Sequence, residues 1–99
     1  MYNIQLLPPA FRFIKKIKDK HLKKLIFDAF DKIQDDPYMG ESKTGDLHGV
    51  FCYDFHYNKT TYEIAYKIIE LPDKTAVVIL AGTRENFYEQ LKRLINQYS

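Results

Sequence analysis

Residues 51–69 read FCYDFHYNKTTYEIAYKII, and their alternation sets the class of fold. Aromatic or apolar residues occupy every second position in two runs, namely Phe51, Tyr53, Phe55 and Tyr57, then Tyr62, Ile64, Tyr66 and Ile68. A period of two is typical of strands that are buried on one face. The polar residues 58–60 between the runs favour a turn. The stretch therefore predicts two consecutive antiparallel strands.

The residues that follow predict a third strand and a last helix. Residues 76–81 read AVVILA, a continuous apolar run suited to a strand that is covered on both faces. Gly82 and Thr83 break this run. From residue 84 to residue 98 the apolar positions recur at helical spacing, which predicts an amphipathic helix.

The residues before the hairpin predict a short strand and two helices. Residues 2–7 alternate weakly, and Pro8-Pro9 ends that strand because consecutive prolines cannot sit inside a central strand. We expect a helix over about residues 9–18 and a second, strongly periodic helix that ends before Asp36-Pro37. A polar loop covers residues 37–48. The sequence thus predicts one α+β domain over residues 1–99 in the order β-α-α-β-β-β-α, with a small antiparallel sheet packed by an N-terminal helical hairpin and a C-terminal helix.

The net charge of +2 conceals an asymmetry along the chain. Residues 1–24 carry seven basic side chains and one acidic one, whereas the remainder carries eight basic and twelve acidic ones. The net charges of the two parts are therefore +6 (7 − 1) and −4 (8 − 12). The basic side chains of the first part are Arg12, Lys15, Lys16, Lys18, Lys20, Lys23 and Lys24. This asymmetry has two interpretations, a polyanionic partner or a solvated helical surface.

Several kinds of site are excluded or unsupported by the sequence. Cys52 is the only cysteine, which excludes an intrachain disulfide and a cysteine-based zinc site. The histidines are scattered and no glycine-rich phosphate loop is present, so we expect neither a metal nor another cofactor. The chain has no apolar segment of about 20 residues and no targeting pattern at its start, so we expect a cytoplasmic protein without a membrane partner.

The segment that carries the most chemistry is residues 82–88, which read GTRENFY. Arg84 and Tyr88 are four residues apart, and on the predicted helix they lie on one face. An arginine fork binds phosphate, and a tyrosine offers a stacking ring or a phenolic proton. RNA cleavage by a 2′-hydroxyl needs a base, a cation for the phosphorane charge and an acid, and this pair suits the last two roles. The structural alternative is that Tyr88 continues the apolar stripe while Arg84 pairs with Asp54 or Glu63.

The order of elements and four short motifs together resemble the RelE/ParE superfamily of bacterial toxins. The motifs are residues 6–17 (LLPPAFRFIKKI), 47–53 (LHGVFCY), 62–68 (YEIAYKI) and 77–88 (VVILAGTRENFY). The resemblance covers essentially the whole chain. It implies a toxin of a type II toxin–antitoxin pair that a small cognate antitoxin neutralises. RelE-like members cut messenger RNA in the ribosomal decoding site without a metal, whereas ParE-like members poison DNA gyrase.

The resemblance also implies roles for individual residues. The family's arginine after the third core strand corresponds to Arg84 and the tyrosine of its last helix to Tyr88. The family's strand arginine corresponds to Glu63, and other basic strand positions fall near Cys52 and Asp54, so the expected positive charge is reversed or absent there. Glu63 is then a candidate general base, assisted by His48 or His56, with Arg84 on the phosphate and Tyr88 as the proton donor or acceptor. The implied RNA-binding residues are Arg12, Lys15, Lys16, Lys20, Lys23 and Lys24.

Three functions remain open from the sequence. The first is a ribosome-dependent mRNA endonuclease that inhibits translation. The second is a toxin without nuclease activity that binds DNA gyrase, which the missing basic residues favour. The third is a degenerate member whose only role is to bind an antitoxin or a regulator.

Overall fold

The computed structural model describes residues 1–98 and contains the predicted strands and helices in the predicted order, with one additional short strand. Its main elements are β1 (Asn3–Leu6), α1 (Pro8–Lys16), α2 (Lys20–Asp35), β2 (Glu41–Ser42), β3 (Phe51–Tyr57), β4 (Thr60–Ile69), β5 (Thr75–Thr83) and α3 (Phe87–Tyr98). The loop before β3 also contains 3-10 turns at Pro37–Met39 and Gly45–Leu47. The two-residue strand β2 and these turns have no periodic sequence pattern, and the sequence did not predict them.

The sheet has five strands in the order β1-β5-β4-β3-β2. The strands β3, β4 and β5 form the predicted antiparallel meander, and β2 adds to its edge. The first strand pairs with β5 in parallel, from Asn3 opposite Thr75 to Leu6 opposite Val78, so the sheet is mixed. Alternation in a sequence identifies a strand but does not identify a partner strand 72 residues further along the chain (75 − 3).

The two faces of the sheet carry separate parts of the core. Helices α1 and α2 cover one face, where their buried residues, such as Ile26 and Ile33, pack with Ile64 and Val78 in one hydrophobic cluster. Helix α3 covers the other face through a second cluster that includes Leu91 and parts of the loop before β3. Because β5 lies between the two clusters, its continuous apolar run is buried on both faces.

Local interactions set the ends of the helices. Helix α1 begins with two prolines, and the carboxylate of Asp19 caps α2 by accepting hydrogen bonds from the backbone N–H groups of His21 (2.9 Å) and Leu22 (3.2 Å). The sequence-based start of the last helix at residue 84 is wrong, since α3 begins at Phe87. Asn86 adopts the left-handed conformation with φ 59°, which interrupts any helix before it. Arg84 therefore lies in the turn after β5 and not on the same helix as Tyr88. No helix in residues 1–98 has the length and apolar character needed to cross a membrane.

Candidate active site

A concavity of about 430 Å³ opens on the face of the sheet that α3 covers. The residues that line it are Met39, Gly40, Glu41, Cys52, Tyr53, Asp54, Glu63, Arg84 and Tyr88. Strand register brings part of this set together, because Asp54 of β3 lies opposite Glu63 of β4, which lies opposite Gly82 of β5. The turn after β5 then adds Arg84, and the first turn of α3 adds Tyr88.

The Glu63 carboxylate is the centre of the hydrogen bonds in this concavity. Its side chain is only 2% exposed, and each of its two oxygens accepts a hydrogen bond. Oε2 accepts a hydrogen bond from Nε of Arg84 at 2.7 Å, and Oε1 accepts one from the Tyr88 hydroxyl at 3.1 Å. A buried carboxylate is stable only when such partners replace water. Glu63 thus fixes the positions of the guanidinium and the phenol.

Arg84 joins two carboxylates and remains open to solvent. Its Nη2 group donates to Oδ2 of Asp54 at 2.7 Å, and its backbone N–H donates to the carbonyl of Thr61 at 2.9 Å. The hydrogen bond with Glu63 raises the pKa of Arg84 above its already high value, so the side chain is a permanent cation. The side chain is 54% exposed. The pairing with Asp54 and Glu63 matches the structural alternative drawn from the sequence, while the exposure leaves donors for a bound anion.

The Tyr88 hydroxyl is protonated at neutral pH. Burial raises the pKa of Tyr88 to about 12, although the neighbouring Lys43 ammonium lowers it. Nζ of Lys43 lies 4.9 Å from the centre of the Tyr88 ring and also bonds to Glu41. Tyr88 therefore has a proton to donate, next to a carboxylate that can return one.

Cys52 lines the concavity but lacks the properties of a nucleophile. It is 4% exposed, and burial raises the pKa of its thiol to about 11. A reactive cysteine needs a lowered pKa and access to solvent. Cys52 is thus a small buried residue of β3.

The two histidines that the resemblance associated with Glu63 lie outside the lining of the concavity. His48 is exposed at the end of the Gly45–Leu47 turn. His56 is exposed near the end of β3, where Nδ1 lies 2.8 Å from Oγ1 of Thr61. The structure thus brings Glu63, Arg84 and Tyr88 together and leaves both histidines outside the group. No group of three or more His, Cys, Asp or Glu residues within residues 1–98 is arranged to hold a metal ion.

The basic residues of the helical hairpin lie on the opposite face of the sheet from Glu63, but near the same end. Arg12 and Lys16 line a second concavity of about 330 Å³ together with Thr83 and Glu85, the neighbours of Arg84 in the chain. Helix α2 also starts at this end of the sheet, where its capping residue Asp19 accepts a hydrogen bond from the hydroxyl of Tyr57 at 2.8 Å.

The remaining basic residues belong to the same hairpin. Lys15 is exposed on α1, Lys20 and Lys23 lie in the first turn of α2, and Lys24 pairs with Asp28 at 3.2 Å. The hairpin thus presents its positive charge beside the turn that carries Arg84, on the far side of the sheet from the Glu63 carboxylate.

Sequence reasoning missed Lys43 and Glu41, which lie beside Tyr88. Both belong to the loop and short strand before β3, where the sequence has no periodic pattern. The backbone N–H of Lys43 donates to the carbonyl of Val50 at 2.9 Å, which holds the segment against the start of β3. Only this return of the chain, after the turns at Gly45 and Gly49, brings Lys43 near α3.

Comparison with solved structures shows the same fold in toxins. A mutant of the Escherichia coli toxin RelE in the free state matches with a TM-score of 0.69 and 16% identity, over 93% of this chain and 96% of that one. The toxin–antitoxin complex RelBE2 from Mycobacterium tuberculosis contains a chain that matches with a TM-score of 0.64 and 23% identity, over 84% of this chain and 98% of that one. No curated protein has a significant sequence match.

A family model matches residues 4–92. Its description is "ParE-like toxin of type II bacterial toxin-antitoxin system", and the match includes every residue of the Glu63 site. This family match agrees with the similarity of the fold to RelE and with the resemblance in the sequence motifs. The chain therefore belongs to the ParE-like toxins of type II bacterial toxin–antitoxin systems, within the RelE/ParE superfamily.

Proposed function

We propose that this toxin inhibits translation as a ribosome-dependent mRNA endonuclease that needs no metal. The observation that carries the proposal is the buried Glu63 carboxylate held between Arg84 and Tyr88 in the wall of an open concavity. These three groups supply a base, a cation and an acid, which are the requirements for transfer of an RNA phosphate to its own 2′-hydroxyl.

The proposed reaction leaves all three side chains unchanged. Glu63 takes the proton of the 2′-hydroxyl as the bond from that oxygen to phosphorus forms. The bond from phosphorus to the 5′-oxygen breaks, and that oxygen takes the phenolic proton of Tyr88. The hydrogen bond between Tyr88 and Glu63 then returns the proton to the phenol, while Arg84 balances the charge on the phosphorane. The products are a 2′,3′-cyclic phosphate and a 5′-hydroxyl.

The basic hairpin is the proposed contact with ribosomal RNA. Arg12 and Lys16 lie next to the turn that carries Arg84, and the hairpin adds Lys15, Lys20, Lys23 and Lys24. Contacts between such side chains and phosphates provide affinity without sequence readout and weaken as the salt concentration rises. The hairpin would dock on the ribosome while the concavity meets the message.

The proposal includes a cognate antitoxin and a cytoplasmic site of action. The intact Escherichia coli RelBE toxin–antitoxin complex contains a chain that matches this one with a TM-score of 0.65 and 16% identity. By analogy, a small antitoxin would bind this chain and silence it. Ribosomes and their messages are cytoplasmic, so the toxin would act there.

One observation favours a second function, the binding of DNA gyrase without nuclease activity. Three carboxylates, those of Glu41, Asp54 and Glu63, line the concavity, and among the described residues Arg84 is the only cation in its lining. Carboxylates repel an RNA phosphate, and Asp54 already occupies part of the Arg84 fork. A protein target such as gyrase does not require a phosphate site.

Induced expression in a bacterium distinguishes these functions. Wild type is compared with Glu63→Gln, Arg84→Lys and the matched control Glu89→Gln, an exposed residue of α3. Primer extension on cellular transcripts should find cuts in phase with codons for wild type and for the control, and few for the two site variants. If growth stops without such cuts, nuclease activity is refuted, and a supercoiling assay with purified protein tests gyrase. The absence of any growth defect would indicate a degenerate member that only binds an antitoxin or a regulator.

A further inference from the structure

Lys43 places a cation over the ring of Tyr88, and the sequence gives it no role. Its Nζ atom lies 4.9 Å from the centre of the Tyr88 ring, within the range of cation–π attraction. The side chain is 20% exposed, unusually little for a lysine on a loop. The ammonium also donates a hydrogen bond to the Glu41 carboxylate.

The loop is built to place this lysine. Lys43 follows β2 directly, and its backbone N–H donates to the carbonyl of Val50. Gly45 and Gly49 have φ of 65° and 92°, so the chain reverses within a few residues in conformations that side chains disfavour. Ordering a lysine side chain costs conformational entropy, which the contacts with Glu41 and Tyr88 must offset.

Tyr88 lines two concavities, one that also contains Glu63 and one that also contains Lys43. The first contains Glu63 and Arg84, and the second, of about 380 Å³, is lined in part by Lys43 and Tyr88. Two contacts therefore hold Tyr88: the Glu63 carboxylate accepts a hydrogen bond from its hydroxyl, and the Lys43 ammonium lies over its ring.

We infer that Lys43 is a positioning residue for the reaction proposed above, which holds the Tyr88 ring and eases the departure of its proton. Once Tyr88 has protonated the leaving oxygen, its phenolate is stabilised by the nearby ammonium. Burial by itself lowers the pKa of Lys43, but the contacts with Glu41 and Tyr88 outweigh burial and raise the pKa above its usual value. The ammonium therefore stays charged throughout the reaction. The inference rests on the proposed function for its catalytic part, and its structural part is tested separately.

The kinetic test compares Lys43→Met, Lys43→Arg and the control Lys67→Met, an exposed lysine of β4. Methionine keeps the length of the side chain and removes its charge. On ribosomes programmed with a short message, Lys43→Met should reduce kcat by about tenfold with little change in KM, because it weakens but does not remove general acid catalysis by Tyr88, which contributes about a hundredfold or more. Lys43→Arg should restore a large part of the rate, and the control should cut at the wild-type rate.

The second test measures Tyr88 without any need for RNA cleavage. In protein labelled with fluorotyrosine, the Tyr88 fluorine resonance is identified by its loss in Tyr88→Phe and is titrated with pH. Lys43→Met should raise the pKa of Tyr88 by about one unit relative to wild type and to Lys67→Met.

The two tests together separate the inference from the proposed function. An unchanged Tyr88 titration overturns the inference, whether or not the protein cuts RNA. A raised pKa with a reduced kcat supports it. A raised pKa in a protein whose wild type cuts no RNA refutes the nuclease proposal and the catalytic role of Lys43 with it.

Discussion

Replacing Arg84 with alanine should destabilise the fold as well as the site, and the structure gives the size of the effect. The substitution removes a 2.7 Å charged hydrogen bond from the Glu63 carboxylate, which is 2% exposed. Hydrogen bonds to charged groups contribute about 1.5–3 kcal/mol. Full loss of a buried partner costs about 3–5 kcal/mol, but Arg84 is half exposed, so water can enter the space it leaves. The exposed contact with Asp54 adds at most about 1 kcal/mol.

We therefore expect Arg84→Ala to lower the free energy of unfolding by about 2 kcal/mol, equivalent to a drop in Tm of roughly 10 °C for a domain of this size. Urea unfolding followed by circular dichroism measures the change. Arg93→Ala, at an exposed arginine of α3, is the matched control and should change stability by less than about 0.5 kcal/mol.

A double-mutant cycle identifies the cause of that loss. If the cost comes from an unpaired Glu63 carboxylate, the double variant Arg84→Ala with Glu63→Gln should be more stable than Arg84→Ala alone, by about 1 kcal/mol. A single variant as stable as the Arg93→Ala control, or a double variant that loses the sum of both single effects, would refute the reasoning about the buried pair.

Three further predictions concern other contacts. Tyr66→Phe should cost about 1–2 kcal/mol of unfolding free energy, because it removes the buried hydroxyl that donates to the carbonyl of Pro37 at 2.7 Å; urea unfolding measures it. The hydrogen bond from Tyr57, followed by those from the α2 N-terminus, lowers the pKa of Asp19 from 3.8. The ionised Asp19 carboxylate thus stabilises the fold above about pH 4, and this stabilisation is lost as the pH falls below that value. The difference in unfolding free energy between wild type and Tyr57→Phe should therefore shrink in acid. Cys52 should react with iodoacetamide at pH 8 much more slowly in the native protein than in urea, since burial raises its pKa to about 11; mass spectrometry measures the rate.

Each of these predictions has a result that would contradict it. The control for Tyr66→Phe is Tyr62→Phe, at a less buried tyrosine of the same strand, and equal losses in the two would remove the argument from the buried hydroxyl. A difference between wild type and Tyr57→Phe that stays constant from neutral pH to pH 3 would mean that Asp19 is not the linked group. Native Cys52 that reacts as fast as unfolded Cys52 would show an open, acidic thiol instead.

The elements of the fold were predictable where periodicity is strong. The alternation of β3 and β4, the apolar run of β5 and the stripe of α2 each predicted an element within a few residues of its observed bounds. The parallel partner of β1 was not predictable, because pairing between distant strands depends on how the helical hairpin packs. The start of α3 was misplaced because the left-handed Asn86 has no periodic signal.

The site was predictable where it lies on those elements. Arg84 and Tyr88 follow from the break after β5, and Glu63 from the resemblance of the β4 motif. Their mutual hydrogen bonds were not evident, since the register of β3, β4 and β5 had to be fixed before Asp54 and Glu63 could face Arg84. Lys43 was hidden in a loop whose path depends on two left-handed glycines.

The most direct test of the central claim is cleavage of a defined message by purified components. Ribosomes programmed with a short mRNA are incubated with wild type, Tyr88→Phe or the control Arg93→Ala, and the ends of the products are identified. We predict cuts at the decoding site that leave a 2′,3′-cyclic phosphate and a 5′-hydroxyl, with Tyr88→Phe slower by about a hundredfold and the control unchanged. An intact message with the wild-type protein, or equal rates for wild type and Tyr88→Phe, would contradict it.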